Sequence, residues 1–271
     1  MRRYVTFDLE TVADEALVSA VDGEPGRSYG EALRRVLADR RARTGGRSDF
    51  LPLPYHRPVA ACLLEAVEDG GVLRVMDVAA WTDRAGDEAE FLARVWDRFA
   101  GAALVSFHGK GFDVPVLELR SLKHCVPIPG WFAARRGGVI VEHHDLKEIL
   151  AAPGSAGAAP LDLYAKLVGL PGKQDVAGAD VQALYAQGAL QRIAAYCMTD
   201  VVQTYLLFLR HRLVDGALTP DGYAESVQAA RDDLPALFAR RLAAEERLVL
   251  DGFLARCAPF FGERQAALRT G

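Results

Sequence analysis

The sequence has little lysine, no paired cysteine motif, no membrane-length apolar run and no excess of positive charge. Each shortage excludes something. The net charge is −4 and the pI is near 5.9, so the chain lacks the basic balance of a protein that coats nucleic acid. That weighs against tight non-specific binding, while leaving open chemistry in which acids gather metal ions. Cys62, Cys125, Cys197 and Cys257 stand alone, with no C-x-x-C and no zinc-ligand spacing. They read as reduced, buried thiols of a cytoplasmic protein. No signal-peptide pattern opens the chain, and no membrane partner is expected. A nucleophile elbow G-x-S-x-G and a Walker A run G-x-x-x-x-G-K-[ST] are both missing.

What is present suits a globular chain. Of 271 residues, 51% are hydrophobic and 25% charged, which predicts one large α/β domain with or without a helical appendage. Such a length buries a core without disulfides. Residues 3–9, RYVTFDL, read as a strand. Residues 13–50 look irregular, apart from a helical, arginine-dense stretch over 29–43. Two apolar runs, 56–67 and 71–81, flank a Gly-Gly turn and read as a hairpin. A helix capped by Asp83 or Asp87 is expected over 87–101, a buried strand over 102–108 and a helix over 114–125. A short strand falls within 137–146 and a loop over 151–159. Short helices are expected at 160–169 and 178–187, then a long amphipathic helix over 191–213. The tail from 219 reads as helix broken around Pro220, Pro235 and Pro259. Three early strands, then alternating helix and strand, then helices, suit an α/β mixed sheet flanked by helices. Residues 214–271 form a helical C-terminal extension expected to pack on the domain formed by 1–213, and 29–47 is an arginine-rich insert.

The acids are the informative part. Asp8 and Glu10 lie two apart on a strand and so share a face. Neighbouring carboxylates resist ionising together unless a cation lies between them. Asp22/Glu24 and Glu88/Glu90 have the same spacing, but a turn and a helix start explain them; Asp8/Glu10 interrupts an apolar strand. Asp113 follows the turn Gly109–Gly111 and on its own reads as a helix cap. Tyr196 and Asp200 lie four apart on one helical face. A buried Asp there needs a basic partner or a metal.

Taken in order, FDLET (7–11), SFHGKGFDVPVL (106–117), HDLKEIL (144–150), DVAGADVQALYAQG (175–188) and YCMTDVVQTY (196–205) resemble the DEDD superfamily of 3′→5′ exonucleases in its tyrosine variant. The likeness is to stand-alone relatives of the proofreading domain of family B DNA polymerases, and it runs to about residue 212. It implies a ribonuclease-H-like fold. It implies that Asp8, Glu10, Asp113 and Asp200 hold two Mg²⁺ or Mn²⁺ ions at the scissile phosphate, with Asp8 shared. Tyr196 would orient the attacking water, because phenols ionise near pH ~10 and make poor bases at neutrality. The family often has asparagine where this chain has His108. The implied substrate is single-stranded nucleic acid, DNA ahead of RNA; protein partners are not indicated. Thr11, His108, Lys110 and Phe112 flank the acids as candidate substrate contacts. Phe112 could equally be a core residue, and Lys173 is a weaker candidate. Arginines 34, 35, 40, 41, 43 and 47 could guide a strand or form a solvated face. An RNA exonuclease and a catalytically silent nucleic-acid-binding module are the competing readings.

Overall fold

A computed structural model describes residues 1–83, 86–136, 141–151, 159–173 and 181–262. Residues 152–158 of the expected loop at 151–159, the start of the 137–146 segment and residues 175–180 of the motif stretch lie outside them. The architecture is a mixed, ribonuclease-H-like five-stranded sheet flanked by helices. Its strands are β1 (Arg2–Ala13), β2 (His56–Asp69), β3 (Val72–Thr82), β4 (Ala103–Ser106) and β5 (His143–Asp145), in the order β3-β2-β1-β4-β5. β1–β2 and β2–β3 pair antiparallel; β1–β4 and β4–β5 pair parallel.

Alternation on β1 divides the core. Val5, Phe7 and Leu9 face one side and pack with Phe91, Leu92, Trp96, Val114 and Leu117. These come from the helices over Glu88–Phe99 and Asp113–His124. Tyr4 and Val12 face the other side, and the same period of two puts Asp8 and Glu10 there as well. β2 is buried on both faces through Val59–Leu64, which explains its unbroken apolar run.

Between β1 and β2 come α1 (Glu15–Asp22) and α2 (Tyr29–Arg43). α1 is a helix where an irregular segment was expected. Asp14 caps it, accepting from the Leu17 N–H at 2.9 Å, and Gly23 at φ +70° ends it. Eight residues hold too little periodicity to stand out in the sequence. Val18, Ala32, Val36 and Leu51 give the α1–α2 pair a small core of its own.

α3 (Glu88–Phe99) is capped by Asp87, and α4 (Asp113–His124), α5 (Pro129–Arg136), α6 (Leu146–Ile149), α7 (Leu161–Leu167) and α8 (Val181–Ala186) follow. α9 (Leu190–Val214) lies across β1 and β2 and is itself covered by α11 (Ala244–Arg256) and by α10 (Pro220–Arg241), which also packs on β3. Pro220 starts α10, as expected of a proline at a helix N-terminus. Pro235 does not break it: burial of Leu234, Leu237 and Phe238 beside it outweighs one lost backbone hydrogen bond. Three cysteines are buried as expected, but Cys125 is exposed at the left-handed C-cap of α4. Among the described residues, no helix is long and apolar enough to cross a membrane.

A buried ion network ties the insert to the sheet's flank. Arg120 bonds Asp14 and Glu88, and Lys123 also reaches Asp14. Burial works against the Asp14 carboxylate, but Lys123, Arg120 and the Leu17 N–H together hold its pKa well below the usual range. Removing Arg120 takes away the buried cation shared by two carboxylates and leaves them to the more exposed Lys123, Arg57 and His124. Arg120→Ala is expected to cost about 3–5 kcal/mol in urea unfolding; a loss under about 1 kcal/mol would mean that the network is inert.

Candidate active site

The site lies where β1 and β4 part. Their last paired residues are Thr6 and Val105. Beyond that point the β1 backbone lacks a β4 partner, and α4 begins beside it. Asp113, the first residue of α4, fills the gap: its Oδ1 accepts from the Leu9 N–H at 2.9 Å. Asp113 is therefore not the helix cap, a position held by Phe112. It is buried and turned onto the strand.

On the other face of β1, Asp8 and Glu10 meet α9. One carboxylate oxygen each from Asp8, Glu10 and Asp200 lie within 4.8 Å of one another. Cys197, on the same helix, sets the approach, its thiol 3.3 Å from the Asp8 carbonyl oxygen. A bulge interrupts the β1–β2 register immediately after Glu10, where Pro58 stands on the partner strand. Pro58 has no N–H to give the ladder, and the bulge accommodates it.

The electrostatics follow from this crowding. Burial and then Asp113, Glu10 and Asp200 raise the Asp8 pKa well above the ordinary value. Burial, then Asp200, pushes Glu10 up to about 8. Burial takes Asp113 to about 7 despite the Leu9 hydrogen bond, and raises Asp200 too. The cation facing them is Lys173, whose Nζ lies 2.7 Å from Asp200. Burial opposes its charge, yet Asp200, Asp8 and Glu10 hold its pKa above that of an ordinary lysine. From the sequence alone Lys173 is only a weaker candidate for a substrate contact. Its place beside Asp200 depends on the loop after α7, which carries no local signal. Among the described residues, four carboxylates against one ammonium leave a deficit of positive charge, and oxygen-only donors suit Mg²⁺ or Mn²⁺.

The remaining residues divide. Tyr196 sits one turn before Asp200, half-buried; among the described residues its hydroxyl meets Arg192 Nε, at 3.3 Å, rather than a carboxylate. Thr11 Oγ1 lies 2.9 Å from His56 Nδ1. His56 Nε2 lies 3.1 Å from the Leu51 carbonyl. A carbonyl only accepts, so Nε2 carries the proton and Nδ1 accepts from Thr11. Burial lowers the His56 pKa, consistent with a neutral ring. Phe112 packs edge-on against His56, with centroids 4.8 Å apart. His56 itself was not singled out by sequence, since only folding brings it to Thr11.

His108 is exposed, with φ +75°. Its N–H and that of Lys110 donate to the buried Asp145, at 2.7 and 2.9 Å. Asp145 also caps α6, accepting from the Lys147 N–H, so one carboxylate braces both the turn and the helix. Gly109 is needed in that turn, because a Cβ there would fall 2.5 Å from Ser106 Oγ. The Lys110 ammonium pairs with Glu148 at 2.9 Å.

Comparison with known proteins adds one finding. A family model described as a predicted 3′–5′ exonuclease related to the exonuclease domain of PolB matches residues 48–248. The span holds Asp113, Tyr196 and Asp200, while Asp8 and Glu10 precede it. No curated protein matches the chain.

The raised carboxylates give the metal-free protein a definite pH dependence. Folded Glu10 keeps its proton to about pH 8, whereas an unfolded glutamate releases it near pH ~4.3. Between those limits the folded chain binds more protons, so stability falls as pH rises. Glu10→Gln removes that titration. In chelator the variant is expected to melt with the wild type near pH ~4 and above it at pH ~8. Added Mg²⁺ or Mn²⁺ should shrink or invert the difference. A difference that does not change with pH would mean that Glu10 is not crowded in solution.

Proposed function

The chain belongs to this family of predicted 3′→5′ exonucleases and is a hydrolase; from that premise we propose that it removes nucleotides one at a time from the 3′ end of single-stranded DNA with two divalent ions. The observation that supports this most is the meeting of Asp8, Glu10 and Asp200 across β1 and α9, with Asp113 behind them on the Leu9 N–H. Asp200 comes from a segment nearly the whole domain away from the other two, and their crowding has no evident use without cations.

In this reading Asp8, Glu10, Asp113 and Asp200 hold Mg²⁺ or Mn²⁺. When bound, the ions would supply Lewis acidity to the scissile phosphate and stabilise charge on the leaving 3′ oxygen. Water adds its oxygen to phosphorus, and the bond from phosphorus to the 3′ oxygen of the preceding nucleotide breaks. The products are a 5′-nucleotide and a chain one residue shorter with a 3′-hydroxyl. Asp8 is central, because it alone feels Asp113, Glu10 and Asp200 together. Tyr196, released from Arg192, orients the water through its hydroxyl. Thr11 and Phe112 bound the terminal nucleotide, and the braced turn carrying His108 and Lys110 lies beside it.

Asp8→Ala should abolish the ladder of shortened products while leaving circular dichroism and melting in chelator at least as good as those of the wild type. Full activity in the folded variant would sink the assignment. Tyr196→Phe should slow turnover about 10²-fold, the scale of a misplaced reactant, with Mn²⁺ affinity, read by calorimetry, nearly unchanged. End-labelled single-stranded DNA, RNA and duplex, each with Mg²⁺, Mn²⁺ or EDTA, test the substrate class; degradation of RNA alone would reassign it.

A further inference from the structure

Phe50 sits at the end of the α1–α2 insert and is 57% exposed, whereas its neighbour Leu51 enters the insert's own core. A single exposed ring is ordinary on a protein surface; this one is set apart by what stands beside it. Its ring lies 4.9 Å from that of His56 and 5.7 Å from that of Phe112. His56 in turn bonds Thr11, next to Glu10. A run of flat rings thus leads outward from the carboxylates and ends at Phe50.

Charge changes sign along the same path. Residues 27–50 carry seven arginines against Glu31, Asp39 and Asp49, in a chain whose net charge is −4. Arg40 Nε donates to the Phe50 carbonyl at 3.0 Å. Arg43, three residues on, shares that helical face. Arg47 Nε donates to the Thr44 carbonyl at 2.9 Å. Among the described residues, no carboxylate pairs with Arg40, Arg43 or Arg47. The loop is held in place rather than splayed. Thr44 Oγ1 donates to the Ser48 carbonyl at 2.6 Å and accepts from the Ser48 N–H, while Ser48 Oγ accepts from the Phe50 N–H.

We propose that Phe50, with Arg40, Arg43 and Arg47, forms a docking surface for the single strand upstream of the nucleotide being removed. The proposal rests on the exonuclease reading of the carboxylate site. A strand approaching four carboxylates is repelled through its phosphates, so positive charge must meet it earlier. Guanidinium groups suit phosphate oxygens, and an exposed phenyl ring accepts the face of any unpaired base. A duplex hides those faces, which makes the surface selective for single strands.

The test compares the wild type with Phe50→Ala, Phe50→Trp and the pair R43Q/R47Q, each checked by circular dichroism. Anisotropy in EDTA reads binding of labelled oligothymidylates of ~3 and ~12 nucleotides. Hydrolysis of the p-nitrophenyl ester of thymidine 5′-phosphate reads the carboxylate site alone. Phe50→Ala should weaken the longer oligomer about tenfold and spare the shorter one, and Phe50→Trp should retain binding. R43Q/R47Q should flatten the dependence of log affinity on log salt by about 0.7 for each phosphate that the arginines no longer neutralise. All variants should hydrolyse the ester like the wild type. Unchanged affinity for the longer oligomer overturns the surface, as does an equal weakening on both lengths. A wild type that binds the longer oligomer through Phe50 but cleaves neither ester nor oligomer would instead overturn the exonuclease reading.

Discussion

Mutual repulsion among four carboxylates is the constraint around which this protein is built. Asp8, Glu10 and Asp200 approach within 4.8 Å, and Asp113 adds its field from the neighbouring gap. Water alone cannot relieve this, because the groups are partly or fully withdrawn from it. The metal-free protein answers with one ammonium, Lys173, and with protons retained on Glu10 to about pH 8. Both answers are incomplete, and the charge left over is what the divalent cations of the proposed mechanism would neutralise.

The rest of the fold holds that repulsion in place. β1 is central and carries the first two acids on the face that α9 covers, so a strand period of two and a helix period of 3.6 have to coincide once, at Asp200. The parting of β1 from β4 after Thr6 frees the Leu9 N–H, and Asp113 takes it. α9 in turn is held from outside by α10 and α11. The C-terminal helices thus pack on the helix that carries Asp200.

Around this acidic centre the electrostatics change sign. The second half of the insert between β1 and β2, residues 27–50, carries seven arginines against Glu31, Asp39 and Asp49; the insert has its own small core and is anchored to α3 and α4 through Asp14, Arg120 and Glu88. A negatively charged protein can in this way offer a local basic approach to a site that would otherwise repel phosphate.

The sequence by itself determined the long elements and the order of the acids. The apolar runs of β2 and β3, the helical period of α9 and the D-x-E on β1 are local patterns, and local patterns are written in neighbouring residues. The tertiary structure decided what depends on distance between segments. Asp113 passes for a helix cap until β1 and β4 part beside it. Lys173 is a marginal lysine until its loop brings it to Asp200, and His56 carries no signal until it meets Thr11. α1 and the unbroken passage of α10 through Pro235 also escape local reading, because a short capped helix and a buried helix face draw their stability from packing rather than propensity. Beyond the Asp8/Glu10 pair, only the family resemblance said which carboxylates repel one another. Their separation in space, which sets the energy, exists only once β1, α4 and α9 are packed together.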